Sequence, residues 1–257
     1  MCIILTCERN VRPSDELIAD CFALNPDGAG IMWTDGGRVQ ICKGFMDCAD
    51  LIAAIDAVPT DSPLVIHMRI ATSGGIDVGT CHPFPICDDL KALHAANVEC
   101  SAAVAHNGVI RGMCTDDKRG ISDTVAFTAG KLNGMWRTDN VVSRRMRRRI
   151  MDAAPSNRFA IMTGDGTVYR IGHGWNTVTR GIQASNDTWR WYEPYSGYHG
   201  GGLWADSSSW FDDEYADLIE FYCGDCDART YCAKHGAMCA GIDEAITDEW
   251  YYGRAAV

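Results

Sequence analysis

The sequence predicts an α+β domain built from layered, largely antiparallel sheets. Three observations lead there. Strand-type runs come in pairs joined by tight-turn residues, segments of helical period lie between the strand groups, and the composition supports one sizeable core. Hydrophobic residues make up 47% of the 257 and charged residues 22%, which is ordinary globular usage and excludes wholesale disorder.

Apolar, β-branched runs bounded by turn signals occur at residues 3–5, 30–33, 39–42, 64–70, 102–105, 159–163 and 167–171. Thr34-Asp35-Gly36-Gly37 and Gly164-Asp165-Gly166 supply the Asp and Gly that close hairpins, so the flanking runs pair antiparallel. Helical spacing marks residues 47–57, 88–96, 123–132 and 140–153, with Ser122 or Asp123 placed to cap the third. Helices between hairpins favour an α+β arrangement over a doubly wound parallel sheet. There is no internal repeat.

The formal charge is −11 and the pI near 5.0. An acidic surface repels phosphate backbones, which argues against nucleic acid as a partner. No run reaches the ~18 apolar residues of a membrane helix, and the N-terminus lacks a basic flank and a long apolar core. The expectation is a soluble, cytoplasmic protein with no membrane partner. Thirteen cysteines, an odd number scattered through a chain of ordinary size, do not make a disulfide framework. Each is read as core, nucleophile or ligand.

Composition shifts near residue 185, and two regions are expected: a domain over 1–188 and an extension over 189–257. Residues 190–257 carry 13 acidic and 4 basic side chains, most of the excess charge, together with aromatics that need something to bury against. Within the extension, residues 223–239 hold Cys223, Cys226, Cys232, His235 and Cys239. Thiolate and imidazole at two-residue spacing suit tetrahedral structural zinc, with Cys223, Cys226, Cys232 and either His235 or Cys239 as ligands. The five-residue gap between the half-sites is short for zinc, so reduced thiols and, more remotely, an iron–sulfur cluster stay open. Arg144-Arg145-Met146-Arg147-Arg148-Arg149 is the one strongly basic run, expected to meet the acidic extension or a partner rather than nucleic acid.

The chemistry starts at Cys2. A residue as small as Cys in second position permits removal of Met1, and the freed α-amine, with a pKa near ~7.7–8.0, can serve as base for its own thiol. Four further segments extend this reading: Asn25-Pro26-Asp27-Gly28-Ala29-Gly30-Ile31, His67 through Gly75, His82-Pro83-Phe84, and His106-Asn107-Gly108-Val109-Ile110 followed by Ser122-Asp123-Thr124.

In this order and spacing they resemble the glutaminase domain of class II glutamine amidotransferases, the N-terminal-nucleophile hydrolases, and most of all their compact, stand-alone branch. The resemblance covers roughly residues 2–185. It implies a four-layer αββα sandwich of antiparallel sheets. It implies Cys2 as nucleophile toward the side-chain amide of glutamine, and an oxyanion hole from the Asn107 side chain and the Gly108 N–H. It also implies Arg69 on the substrate α-carboxylate and Asp123 on its α-ammonium, with Thr72 assisting, and no cofactor for catalysis. Two positions depart from the family: Ile3 follows the nucleophile where many members have Gly, and Asn25-Pro26 stands where the larger members have Arg.

The residue types fit the chemistry without the resemblance. A tetrahedral oxyanion needs fixed donors, and a zwitterionic substrate needs a guanidinium and a carboxylate held apart. Read singly, Arg69 is equally a structural ion pair, Asp123 a helix cap and Asn107-Gly108 a tight turn. His67, His82 and His106 are read as structural hydrogen-bonders. About 70 residues beyond the glutaminase-like region are too few for a synthase domain. The expected function is therefore glutaminase-type release of ammonia, with any acceptor-activating synthase or ligase supplied in trans. Hydrolysis of another γ-glutamyl or small amide, and a non-catalytic binding protein on the same fold, are the alternatives.

Overall fold

The structure is a computed structural model that describes residues 2–71, 75–139 and 141–191. Thr72 and the Cys223–Cys239 cluster lie outside the described residues, as does nearly all of the acidic extension. Two antiparallel sheets form the centre. The larger has seven strands in the order β10-β11-β1-β4-β2-β3-β6. These are β1 (Ile3–Cys7), β2 (Ala29–Asp35), β3 (Arg38–Phe45), β4 (Leu64–Met68), β6 (Asn97–Cys100), β10 (Asn176–Thr179) and β11 (Ile182–Ala184). The smaller runs β5-β7-β8-β9, with β5 (Phe84–Pro85), β7 (Ala102–Asn107), β8 (Arg158–Thr163) and β9 (Val168–Ile171).

Side-chain alternation along the strands sorts the apolar residues into three layers of core. Ile3, Leu5 and Cys7 of β1 point to one face, where they join Ile18, Cys21 and Phe22 of α1 (Asp15–Leu24) and Leu51 and Ile55 of α2 (Cys48–Asp56). Ile4 points the other way, into a cluster with Met32, Val65, Ala103, Ala105, Ala160 and Met162 between the sheets. On the far face of the small sheet, Val104, Phe159 and Ile161 pack with Val125, Phe127, Met146 and Ile150. The result is helix, sheet, sheet, helix, and it explains the unbroken apolar runs of β1, β4 and β7. Every residue of these three strands is buried, because both faces are covered.

Both expected hairpins form, β2 with β3 around Gly36-Gly37 and β8 with β9 around residues 164–167. Several elements differ from expectation. α1 was absent from the sequence reading, although Ser14 caps it through a bond from Leu17 N–H and Ile18, Cys21 and Phe22 repeat at helical spacing. The third expected helix starts at α4 (Asp123–Phe127) with Ser122 as its cap, passes through a π-turn at Thr128–Leu132 and continues as α5 (Asn133–Asp139). The helix expected over 88–96 shrinks to α3 (Leu90–His94), capped by Asp89. α6 (Arg144–Ala153) begins at the Ser143 cap rather than at 140. β6, β10 and β11 are short and partly polar, so their apolar signal is weak; they exist because neighbouring edges supply their ladder bonds.

On α6, Met146 and Ile150 enter the core while Arg144, Arg145, Arg148 and Arg149 are exposed. No disulfide forms among the described cysteines. Among the described residues no helix is long and apolar enough to cross a membrane.

Gly30 sits where β2 passes beneath the His82 carbonyl and the Lys43 side chain, and a Cβ there would collide with both. Gly30→Ala is therefore expected to cost about 1–3 kcal/mol by overpacking, read as a lower urea midpoint with an unchanged m-value.

Candidate functional site

The central pairing of β1 with β4 sets Ile3 opposite Met68. Cys2, one residue before β1, consequently faces the two residues just past β4. Its thiol donates to Ile70 O at 3.4 Å and accepts from Ile70 N–H at 3.4 Å. Burial pushes the Cys2 thiol pKa up, only partly offset by the Ile70 contact and the nearby Arg69 charge. The thiol is therefore held in its protonated form.

One cleft is lined by Cys2, Arg69, Ile70, His82, His106, Gly108, Ser122, Asp123 and Thr124. Four of the expected site residues thus meet there, Cys2 from just before β1, Arg69 from just past β4, Gly108 from just past β7 and Asp123 from the start of α4, while Asn107 is not among the lining residues. Asn107 is the last residue of β7, buried, with Nδ2 2.8 Å from Ser185 Oγ.

Arg69 is buried, and its Nη1 donates to Gly75 O at 2.6 Å and to Thr80 Oγ1 at 3.0 Å. The backbone on either side is pinned by the Asn25–Ile31 segment. Arg69 N–H donates to Gly28 O, Asp27 N–H donates to Arg69 O, and Asp27 Oδ2 accepts from Ala71 N–H at 2.8 Å. That segment therefore acts by holding the strand end that carries Arg69.

Thr80 belongs to a short 3-10 helix over Val78–Thr80 capped by Asp77. Lys43 holds this helix from beneath. Its Nζ is buried, donates to Gly79 O at 2.9 Å and Leu93 O at 2.6 Å, and lies 4.0 Å from the Phe84 ring centroid. Burial pulls its pKa down to about 7.

Asp123 is not the cap of its helix, since Ser122 takes that place through Val125 N–H. Its carboxylate accepts from Thr124 N–H at 2.7 Å and reaches across to Ile110 N–H at 2.7 Å. It thereby ties the 107–110 loop to α4. Gly108 has φ 139, a conformation open to glycine. A Cβ there would also strike Asn157 Oδ1. The Asn107-Gly108 pair is thus a loop start that only glycine fits at its second position, wedged against Asn157.

Three buried histidines, two of them in the lining of the cleft, link the two sheets and α4. His67 Nε2 on β4 lies 3.0 Å from His106 O on β7; His82 Nδ1 lies 3.1 Å from the same carbonyl and 2.9 Å from His67 Nε2. Asn157 Nδ2 donates to Pro155 O, so its Oδ1 accepts from His106 Nε2–H at 2.7 Å. Neutral His106 then accepts the Thr124 hydroxyl at Nδ1, 2.8 Å away. Burial lowers all three pKa values, His67 to about 3 and His82 well below its ordinary range. The sequence reading of these histidines as hydrogen-bonders agrees with this network.

Lys43, Thr80, Asn157, Ser185 and Asn186 were not singled out in the sequence. None lies in a recognisable motif, and each acts through a partner distant in the chain. Among the described residues no group of three His, Cys, Asp or Glu side chains is arranged to hold a metal.

No family model matches the chain, and no curated protein does. Among solved structures, the chain is similar to the glutamine phosphoribosylpyrophosphate amidotransferase from B. subtilis, complexed with ADP and GMP. The identity is 17% and the TM-score 0.44, over 72% of this chain and 42% of that one. The chain thus spans less than half the length of that protein.

Two stability predictions follow from the buried bases. In the unfolded chain His67 titrates near 6.5 but in the fold near 3, so below pH 6.5 the unfolded state binds a proton the folded state refuses. Stability falls as pH drops through that window, and His67→Phe should shallow the slope by up to about 1.4 kcal/mol per pH unit, measured by denaturant titration from pH 7 to 4. Lys43→Met should cost about 1–3 kcal/mol at pH 7 by stranding two buried carbonyls. Because the folded pKa of Lys43 is about 7 against 10.5 for the free side chain, wild type should gain on this variant as pH rises from 7 toward 10.

Proposed function

We propose that this chain is a glutaminase-type amidohydrolase of the class II glutamine amidotransferase kind, with Cys2 as an N-terminal nucleophile. The observation that carries the reading is the convergence of Cys2, Arg69, Gly108 and Asp123, from four separate chain segments, on one cleft.

After removal of Met1, the α-amine of Cys2 takes the proton of the thiol. Such a base is needed because burial keeps the thiol protonated. Sulfur attacks the side-chain carbonyl carbon of glutamine, and the oxyanion is met by Asn107 Nδ2–H and Gly108 N–H. The α-ammonium returns its proton to the leaving nitrogen, the C–N bond breaks and ammonia departs. The γ-glutamyl thioester left on Cys2 is cleaved by water, activated by the same amine, to release glutamate and restore the thiol. Arg69 binds the substrate α-carboxylate by paired hydrogen bonds, and Asp123 receives the α-ammonium on the lone pairs not used by Thr124 and Ile110. Thr72, which follows the Arg69 segment, assists there.

The remaining parts of the proposal are a cytoplasmic protein of two regions, 1–188 and 189–257, and structural zinc held by four of Cys223, Cys226, Cys232, His235 and Cys239. The ammonia passes to an acceptor-activating synthase or ligase acting in trans.

Intact mass, glutamine turnover and labelling by a diazoketone analogue of glutamine test the reading together. Expected are loss of Met1, a single adduct on Cys2, and glutamate production that Cys2→Ala abolishes. Arg69→Met should raise KM for glutamine by ~10²-fold or more with a smaller change in kcat, the signature of lost ground-state binding. Retained Met1 with neither labelling nor turnover would refute the enzyme.

A further inference from the structure

The dipeptide Ser185-Asn186, just past β11, is bonded to both sides of the candidate site. Asn186 Nδ2 donates to Cys2 O at 2.8 Å, and its Oδ1 is fixed as an acceptor by Thr188 N–H and the Thr188 hydroxyl. Ser185 N–H donates to Ile4 O, and Ile4 N–H donates to Ser185 Oγ at 2.9 Å. The nucleophile's strand is thus clamped at residues 2 and 4 by one short segment from the other end of the described chain.

The same Ser185 hydroxyl touches Asn107. With Nδ2 toward Ser185, at 2.8 Å, the hydroxyl oxygen receives two N–H groups while its own hydrogen has no acceptor among the described residues. Asn107 Oδ1 is at the same time buried with no partner. Two donors, the Ser185 O–H and the second Asn107 N–H, and one acceptor are therefore stranded within a single side-chain pair, a costly state in a buried place. Turning the amide by half a rotation leaves its shape unchanged, pairs the Ser185 O–H with Oδ1, and reduces the three unbonded groups to two. The Ser185 hydroxyl then donates to Oδ1, still accepts from Ile4 N–H, and only the Asn107 NH2 lacks a protein partner. A pair of N–H donors with nothing to bond is what a developing oxyanion can fill.

We propose that Ser185 is a positioning residue: its hydroxyl donates to Asn107 Oδ1, fixing the amide so that Nδ2 is the unbonded arm, a covered donor in the residue next to Gly108 of the cleft. The role in turnover rests on the glutaminase reading; the amide orientation does not. One serine then couples the strand of the nucleophile to the group that stabilises its transition state, so that the two cannot drift apart.

Neutron diffraction from perdeuterated wild-type crystals reads the orientation directly. Two deuterium atoms on the arm of Asn107 remote from Ser185, with a deuterium on Ser185 Oγ directed at Asn107, are expected; two deuterium atoms on the arm at Ser185 would overturn the proposal. Kinetics of Ser185→Ala, at a temperature where both proteins are folded, read the consequence. kcat for glutamine should fall by ~10²-fold with KM within about twofold of wild type, whereas a general loosening of the fold would raise KM as well. An unchanged kcat would overturn the positioning role. Wild type that turns over no glutamine, yet shows the expected deuterium positions, would refute the reaction and support the amide assignment.

Discussion

The antiparallel pairing of β1 with β4 is the contact on which the rest of the site depends. Because Ile3 lies opposite Met68, the residue before one strand and the residue after the other are forced together at the same end of the sheet. That register sets the Cys2 sulfur against Ile70 and puts Arg69 in the same cleft. Period-two alternation makes the register hard to slip. A shift by one residue would turn Ile3 and Leu5 out of the α1–α2 core and push them between the sheets.

The second sheet reaches the same place through polar contacts in an otherwise apolar interior. Small side chains at Ala103, Ala105 and Ala160 line the space between the sheets. At the end near the cleft His67 follows Val65 on that face and reaches the His106 carbonyl, while the His106 ring lies on the other face of β7 against Phe159. Burial keeps these rings and that of His82 neutral, so they act as directional hydrogen-bonding spacers rather than charges. Their bonds to His106 O, Thr124 and Asn157 fix the end of β7 relative to α4, and hence Gly108 relative to Asp123.

Site residues here are held by buried neighbours rather than by surface ion pairs. Arg69 leans on Thr80, and the helix of Thr80 is held by Lys43. Asp123 spans to Ile110, and Asn107 meets Ser185. Each contact removes conformational freedom from the group it holds. Positioning of this kind is sensitive to changes well outside the cleft, since Lys43 and Ser185 do not line it.

The sequence by itself determined the class of the fold, the two hairpins and the identity of the residues that meet. The apolar runs of β1, β4 and β7 and the turns at Gly36-Gly37 and residues 164–166 are local signals, whereas the segments around Cys2, Arg69, Asn107-Gly108 and Asp123 stand out only as an ordered set that resembles a known family. Local signals survive in a one-dimensional reading because they arise from side-chain alternation, turn geometry and residue chemistry. α1 carries a legible signal in its Ser14 cap and its apolar spacing; β10 and β11, by contrast, carry almost no signal of their own. Only the tertiary structure decided that Ser122 rather than Asp123 caps α4, that the Asn25–Ile31 segment serves to pin Arg69, and that Lys43, Asn157, Ser185 and Asn186 belong to the site at all. Those assignments depend on hydrogen bonds between groups up to 184 positions apart, and no spacing along the chain encodes which buried donor will find which acceptor until the sheets have closed over both.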